Sequence, residues 1–331
     1  MSSAKPSPAH WNANTALGAG REFDLIRALL AEWGDLAVGI GDDAAILAAT
    51  NESMVVSTDA CVEGVHFERD WISARDVGVR AATAALSDVA AMGARAHAVL
   101  VSFIVPGNWT SDLVQVARGI GDVVRKSGAR IVGGNMSAGA QLSITMTVIG
   151  RSVSPVQRVG ALVGDLLLVT GTLGGPSSAI AAFRAGTAPN PWALDRFRAP
   201  TPRIGEGAWL ATFGAHAMID ISDGLLADAG HLARASAVTL VLDAAKIPCG
   251  PNVTPEQALR SGEEYELLVV MPPDAAHAAC SEFVSRFGTA ITIIGEVTTA
   301  SNGGSAVISG FEGEKSGLRV EIQAGYDHFS A

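Results

Sequence analysis

Cysteine, aromatic side chains, positive charge and long apolar runs are all in short supply in this chain of 331 residues, and each shortage excludes something. The three cysteines, Cys61, Cys249 and Cys280, are widely spaced and odd in number. They offer neither a disulfide framework nor zinc-ligand spacing, which fits a reducing compartment. Only 23 Lys and Arg stand against 33 Asp and Glu, a formal charge of −10, and the bases form no cluster. A nucleic-acid binder with a basic face is thereby excluded. Phosphates could be handled only with metal ions to bridge the like charges. No apolar run approaches the ~18 residues of a transmembrane helix. Met1 to Gly20, rich in Ala, Ser, Pro and Asn, lacks the apolar stretch of a signal peptide and reads as a floppy extension. The expected location is cytoplasmic, with no nucleic acid and no membrane as partner.

What is present is core material. The chain is 48% hydrophobic and 17% charged, and with aromatics at 5% the core must come from Ala, Val, Leu and Ile. A length of 331 residues predicts two domains. Helical periodicity is expected over 22–33, and a short strand over 36–40 leads into Asp42 and Asp43. A second strand over 54–57 ends at Thr58-Asp59. A helix capped by Ser73 runs to about Met92, with Gly93 as its stop. Along it Val77, Ala81, Ala84 and Asp88 recur at helical spacing, and nothing on that helix offers Asp88 a partner. A strand (98–105), a helix (110–127), a strand over 130–132 broken by Gly133-Gly134, and an alternating strand (142–150) follow. Ser, Pro and Gly gather at 151–165, which sets the domains at 21–150 and 151–331 behind the extension of 1–20.

The second half reads as a strand (165–170), the turn Gly171-Thr172-Leu173-Gly174-Gly175 and a helix. Two Pro-rich segments around 189–191 and 199–202 flank a short connector. A helix (204–213), a strand (217–221) and a helix (224–235) follow. Strands at 240–242, 266–271, 291–298 and 305–308, with a helix over 274–287 among them, complete the chain. Strands adjacent in sequence argue for an α+β fold rather than a doubly wound parallel sheet.

The acidic residues carry the chemistry. Asp42 and Asp43 (GIGDDAAIL), Asp59 (STDA), Asp88 (ALSDVAAMGA), and Asp220 and Asp223 (IDISDGL) all sit beside apolar runs or glycines. Singly, each is a turn signal. Together they form a set of hard oxygen ligands suited to Mg²⁺, which takes one or two carboxylates along with substrate phosphates and water. Ser57 and Thr58 can add hydroxyl or carbonyl oxygens, or serve simply as strand residues. The turns at 133–134 and 171–174 read either as strand-to-helix turns or as phosphate cradles. No P-loop or dinucleotide fingerprint occurs. His66 stands in an apolar stretch near the acidic set. Glu263, Glu264 and Glu266 put three carboxylates just before a strand, with a solvated strand end as the plainer alternative.

In order, EFDLI (22–26), GIGDDAAIL (39–47), STDACVEGVHF (57–67), LSDVAAMGA (86–94), GTLG (171–174), PTPRIGEG (200–207), IDISDGLLAD (219–228), SGEEYELL (261–268) and GYDHF (325–329) resemble the thiamine-monophosphate kinase family. The resemblance spans residues 21 to 329. VEGVHF and GYDHF distinguish it from the wider superfamily of aminoimidazole ribonucleotide synthetase and selenophosphate synthetase. It implies an N-terminal domain that pairs into a homodimeric β-barrel, a C-terminal α+β domain and an ATP site in the cleft between them. It also implies the conversion of ATP and thiamine monophosphate to ADP and thiamine diphosphate. By the same resemblance Asp43, Ser57, Thr58, Asp59, Asp88, Asp220 and Asp223 are magnesium ligands. Gly134, Asn135, Arg158 and Ser222 contact ATP, and His66, Glu263 and Tyr326 contact the substrate. No proton-transfer residue is implied, because a phosphate oxygen is already an anionic nucleophile.

One departure stands out. Where the family carries Gly-Gly-Asp-Thr, this chain has Gly133-Gly134-Asn135-Met136. Asn135 offers a metal an amide oxygen without charge, which implies a raised magnesium requirement. Two alternatives stand beside the kinase. One is a superfamily enzyme with another small-molecule substrate, and the other is a nucleotide-binding protein that has lost turnover.

Overall fold

The computed structural model describes residues 21–38, 40, 44, 45, 47–300 and 304–309. Two compact units divide them: one takes the chain to Val89 and then Arg95–Val153, the other takes Ala90–Ala94 and the chain from Ser154 onward.

The first unit begins with helix α1 (Arg21–Trp33), which buries Leu29, Leu30 and Trp33. Strand β1 (Ser53–Val62), helix α2 (Ala74–Ala91), strand β2 (Arg95–Val105), helix α3 (Leu113–Lys126), and strands β3 (Arg130–Ala138) and β4 (Ser143–Ser152) follow. The strands form one sheet in the order β1-β4-β2-β3, antiparallel except for the β2–β3 pair. Among the described residues it does not close into a barrel, and Ala37 and Val38 bridge onto its β3 edge at Ile131. Helix α3 is a clear amphipath: Leu113, Val116, Ala117, Ile120, Val123 and Val124 are all buried. It lies against α2 backbone to backbone. A β-carbon at Gly119 would overlap the Arg75 carbonyl, and one at Gly78 would overlap that of Val116.

Two expectations need correction here. Strand β1 does not end at Asp59 but runs through it to Val62, because Asp59 pairs with Met146 in an unbroken ten-residue register. Gly133-Gly134 does not break β3 either. A register shift opposite Val99 and Leu100 absorbs the irregularity, and Gly134 is the residue that lets β3 approach Val101 closely.

The second unit contains β5 (Leu166–Thr170), α4 (Gly175–Arg184), α5 (Pro191–Arg198), α6 (Ile204–Phe213), β6 (Ala217–Asp220), α7 (Leu225–Ser236), β7 (Val238–Asp243), α8 (Pro255–Arg260), β8 (Leu267–Met271), α9 (Pro273–Phe287), β9 (Ile291–Thr299) and β10 (Ser305–Ser309). Its sheet runs β10-β7-β9-β5-β8-β6, antiparallel except for β10–β7. Strands β5, β6 and β8 read as continuous apolar runs because both faces are buried. Leu167, Val169, Ile219, Leu268 and Val270 pack with Leu225, Leu232 and Leu259 of α7 and α8. Leu168, Met218, Leu267, Val269 and Met271 pack with Leu210, Ala279 and Phe283 of α6 and α9. The fold is thus mixed α+β in both units.

The segment expected as a connector after Pro189 is the helix α5. Asn190 caps it by accepting the Ala193 N–H at 2.9 Å, and Pro191 occupies its first turn. Among the described residues no helix is long and apolar enough to cross a membrane.

Candidate functional site

In the first unit, Ser57 and Asp59 alternate with Val55 and Cys61 on the buried face of β1. The Ser57 hydroxyl donates to Asp88 Oδ2 at 2.5 Å, so α2 does bring its half-buried carboxylate to a partner, on a strand rather than on its own helix. Asp59 Oδ1 accepts the Ala60 N–H at 2.7 Å. Thr58 points to the opposite face, where its hydroxyl lies 3.3 Å from that of Thr147. Asn135 lies in one cross-sheet row with Ser102, Thr145 and Ala60, which places it on Thr58's face and not with Ser57, Asp59 and Asp88. Its neighbour Gly134 lies in the Asp59 row.

His66 sits in a turn just past β1. Its Nδ1 accepts the Val62 N–H at 3.1 Å, so a neutral ring carries its proton on Nε2. The same turn places Glu63 as acceptor for Trp109 Nε1 at 2.9 Å and the Leu142 N–H at 3.2 Å. Asp42, Asp43 and Tyr326 lie outside the described residues.

In the second unit, β6 delivers Asp220 and the following turn delivers Ser222 and Asp223. Asp220 is buried. Asp228, in the first turn of α7, is 2% exposed and accepts the N–H groups of Ser222 and Asp223, both at 3.1 Å. Burial, then the charges of Asp220 and Asp223, push the Asp228 carboxyl up to about 8 against those two hydrogen bonds. Asp223, Asp228 and His231 each bring a ligand atom within 4.8 Å of the others. Burial and the nearby Arg234 and Arg158 guanidiniums hold His231 below the ordinary imidazole range. Arg158 is fixed through its backbone: its carbonyl accepts the Ser236 hydroxyl at 2.8 Å, and the Ser236 hydroxyl oxygen in turn accepts the N–H groups of Gly160 and Ala161.

The segment 261–266 is not a solvated strand end. Glu264 and Glu266 are 1% and 0% exposed. Glu266 accepts Arg203 at 2.7 and 2.6 Å, Arg196 at 2.7 Å and the Thr170 hydroxyl at 2.6 Å. Burial alone would raise the Glu266 carboxyl, but Arg203 and the other donors more than offset it and hold it low. Burial likewise works against the Arg203 charge, and the Glu266 carboxylate overcomes it and holds the guanidinium above its ordinary value. Burial pushes Glu264 up to about 7 despite the Ser261 hydroxyl, Arg196 and the Gly174 N–H.

This network also bears on the nature of the glycine turn. Gly174 N–H donates to Glu264 Oε1 at 2.5 Å, and Ser177 N–H to the Ser261 hydroxyl at 3.4 Å. Two N–H groups at the start of α4 are thus taken by side chains, which favours the strand-to-helix turn over the phosphate cradle at 171–174.

Sequence reasoning named Ser57, Asp59, Asp88, Asp220 and Asp223 but not Asp228 or His231. The signal was available: Asp228 follows Asp220 and Asp223 in IDISDGLLAD, and His231 lies three residues further along the same helix.

Acidic side chains gather in both units, Asp59 and Asp88 in the first and Asp220, Asp223 and Asp228 in the second, and the two-unit mixed α+β plan that carries them is the class to which the chain belongs. Family models agree with that class. The AIR synthase related protein N-terminal domain matches residues 41–152, and its C-terminal domain matches 163–308. A curated thiamine-monophosphate kinase of Mycobacterium tuberculosis is 39% identical over 247 residues, covering 73% of this chain and 74% of its own. The crystal structure of thiamine-monophosphate kinase from Stenotrophomonas maltophilia K279a superposes with a TM-score of 0.76 at 31% identity, covering 87% and 95% of the two chains. AaThiL complexed with AMPPCP and TMP gives 0.73 at 28% identity, covering 93% and 96%. The chain belongs to the thiamine-monophosphate kinase family of the AIR synthase related proteins.

Proposed function

We propose that this chain catalyses transfer of the γ-phosphoryl group of ATP to thiamine monophosphate, giving ADP and thiamine diphosphate. The observation that carries the reading is the likeness, over 93% of the chain, to AaThiL with AMPPCP, an ATP analogue, and TMP bound together.

Mg²⁺ fits the donors present. Both sets are hard carboxylate and hydroxyl oxygens, and Asp228 is crowded by two further carboxylates in a way that a cation relieves. Asp43, Ser57, Thr58, Asp59, Asp88, Asp220 and Asp223 are the proposed ligands, with Asn135 as a weak, uncharged one. Bound magnesium would neutralise the repulsion between two polyanions and favour in-line alignment. The acceptor phosphate oxygen is already charged, so no side chain has to remove a proton. The chain's own work is positioning. Ser57 orients Asp88, and Asp228 holds the Ser222–Asp223 turn. Gly134, Asn135, Arg158 and Ser222 are the proposed contacts to ATP. His66, with Nε2–H as donor, Glu263 and Tyr326 are the proposed contacts to thiamine monophosphate, whose thiazolium cation suits the Glu263 carboxylate.

We further propose a cytoplasmic homodimer that pairs through the open face of the first unit's sheet. Met54, Val56 and Ile104 on that face are exposed, an apolar surface of the kind a partner sheet covers. The alternative reading, a nucleotide binder without turnover, rests on Asn135. Asn135 lies on the Thr58 face and not with Ser57, Asp59 and Asp88, so its missing charge leaves that donor set whole and weakens only a separate metal contact on its own face.

ADP release measured with ATP and magnesium, against thiamine monophosphate and unphosphorylated thiamine as acceptors, tests the reaction. Turnover with the monophosphate alone, with the diphosphate seen by mass, is the expected result. ATP binding without turnover would replace the kinase with a binding protein.

A further inference from the structure

Residues 261–266 hold a backbone that side chains ordinarily avoid. Glu263 has φ 58° and Tyr265 φ 53°, both in the left-handed region, although neither is glycine. Between and after them, Glu264 and Glu266 turn fully inward. The segment is stitched to the Ile221–Ser222 backbone: Glu263 N–H donates to the Ser222 carbonyl at 2.7 Å, Tyr265 N–H to that of Ile221 at 3.0 Å, and Ile221 N–H to that of Glu266 at 2.8 Å. Such a conformation persists only where its surroundings over-determine it.

Glu264 supplies that constraint next to Glu263. Its Oε1 accepts two donors at once, the Gly174 N–H at 2.5 Å and the Ser261 hydroxyl at 2.6 Å. Its Oε2 is buried without a hydrogen bond among the described residues, 3.7 Å from the Arg196 guanidinium. Arg196 also donates to the Glu264 carbonyl at 3.3 Å and to the Glu266 carboxylate. One buried carboxylate therefore ties the start of α4, the loop before β8 and helix α5 to a single residue. An ordinary core position would take an apolar side chain here, since a buried carboxylate with an unsatisfied oxygen is costly.

We propose that Glu264 is a positioning residue for the substrate side of the reaction: by bridging the Gly174 N–H and the Ser261 hydroxyl, it holds Glu263 in the left-handed conformation that presents its carboxylate to the thiazolium cation. The inference rests on the proposed role of Glu263.

The test compares Glu264→Ala, Glu264→Gln and Glu263→Gln in the full chain by steady-state kinetics. Glutamine keeps an oxygen at the Oε1 position and can accept both donors; alanine cannot. Glu264→Ala is expected to raise KM for thiamine monophosphate at least tenfold with KM for ATP within twofold, and Glu264→Gln to restore it to within threefold of the parent. Should Glu264→Ala not fold, Ser261→Ala, which removes one donor only, is expected to raise the same KM about threefold. Amide exchange at Glu263 and Tyr265 gives a substrate-free readout, with protection lost in the alanine variant and kept in the glutamine one. An unchanged KM for thiamine monophosphate in a folded alanine variant, equal rises in both KM values, or no rescue by glutamine would overturn the proposal. Failure of the Glu263 role shows separately: Glu263→Gln would then leave KM for thiamine monophosphate unchanged while the exchange pattern still reports on Glu264.

Discussion

Asp228 shows what a single buried carboxylate contributes. Its folded value of about 8 lies far above the ordinary 3.8, so the folded protein keeps a proton that the unfolded chain has released. Without metal, this group's stabilising contribution is complete below about pH 4 and is lost as pH rises through 8. Asp228→Asn keeps an acceptor for the Ser222 and Asp223 N–H groups and removes the ionisation. It is expected to flatten the decline in melting temperature between pH 5 and 9 in the presence of EDTA; thermal scans across that range check it. Asn135→Asp restores a charge to a proposed ligand and is expected to lower the magnesium concentration at half-maximal rate severalfold. An unchanged magnesium titration would remove residue 135 from the ligand set. At this scale the proposed ligands were legible because an aspartate beside an apolar run is conspicuous. Asp228 and Glu266 were not, because their burial is set by partners 5 to 96 residues away in sequence, such as Asp223 and Thr170.

Helices α2 and α3 depend on two glycines. Gly119 approaches the Arg75 carbonyl and Gly78 that of Val116 so closely that a methyl group at either position forces the helices apart. Arg75 crosses the same contact to Asp122 at 3.0 and 2.5 Å. Gly119→Ala would gain a little helix propensity but is expected to cost about 2–3 kcal/mol net through overpacking, read by urea denaturation. Periodicity showed both helices and most strands. It could not show that β3 continues through Gly133-Gly134, since a glycine pair looks like a turn unless the partner strand's register is known. The α5 helix was readable in principle, because Asn190-Pro191 is a cap followed by a first-turn proline. The flanking prolines drew the reading toward a connector instead.

For the whole molecule, two-domain α+β organisation followed from length and from strands adjacent in sequence, and the family followed from motifs spread along the chain. Pairing of two chains through the open sheet face is a claim at this scale. Val56→Lys places a charge on that face, midway along its edge strand β1, and is expected to shift the protein from dimer to monomer in analytical ultracentrifugation; an unchanged sedimentation coefficient would move the interface elsewhere. The central claim, direct transfer by positioning and charge neutralisation, is tested most directly with ATP made chiral at its γ-phosphorus. One in-line transfer predicts inversion at the terminal phosphorus of thiamine diphosphate. Retention would require a phosphorylated enzyme intermediate and a nucleophilic side chain, and would contradict the account.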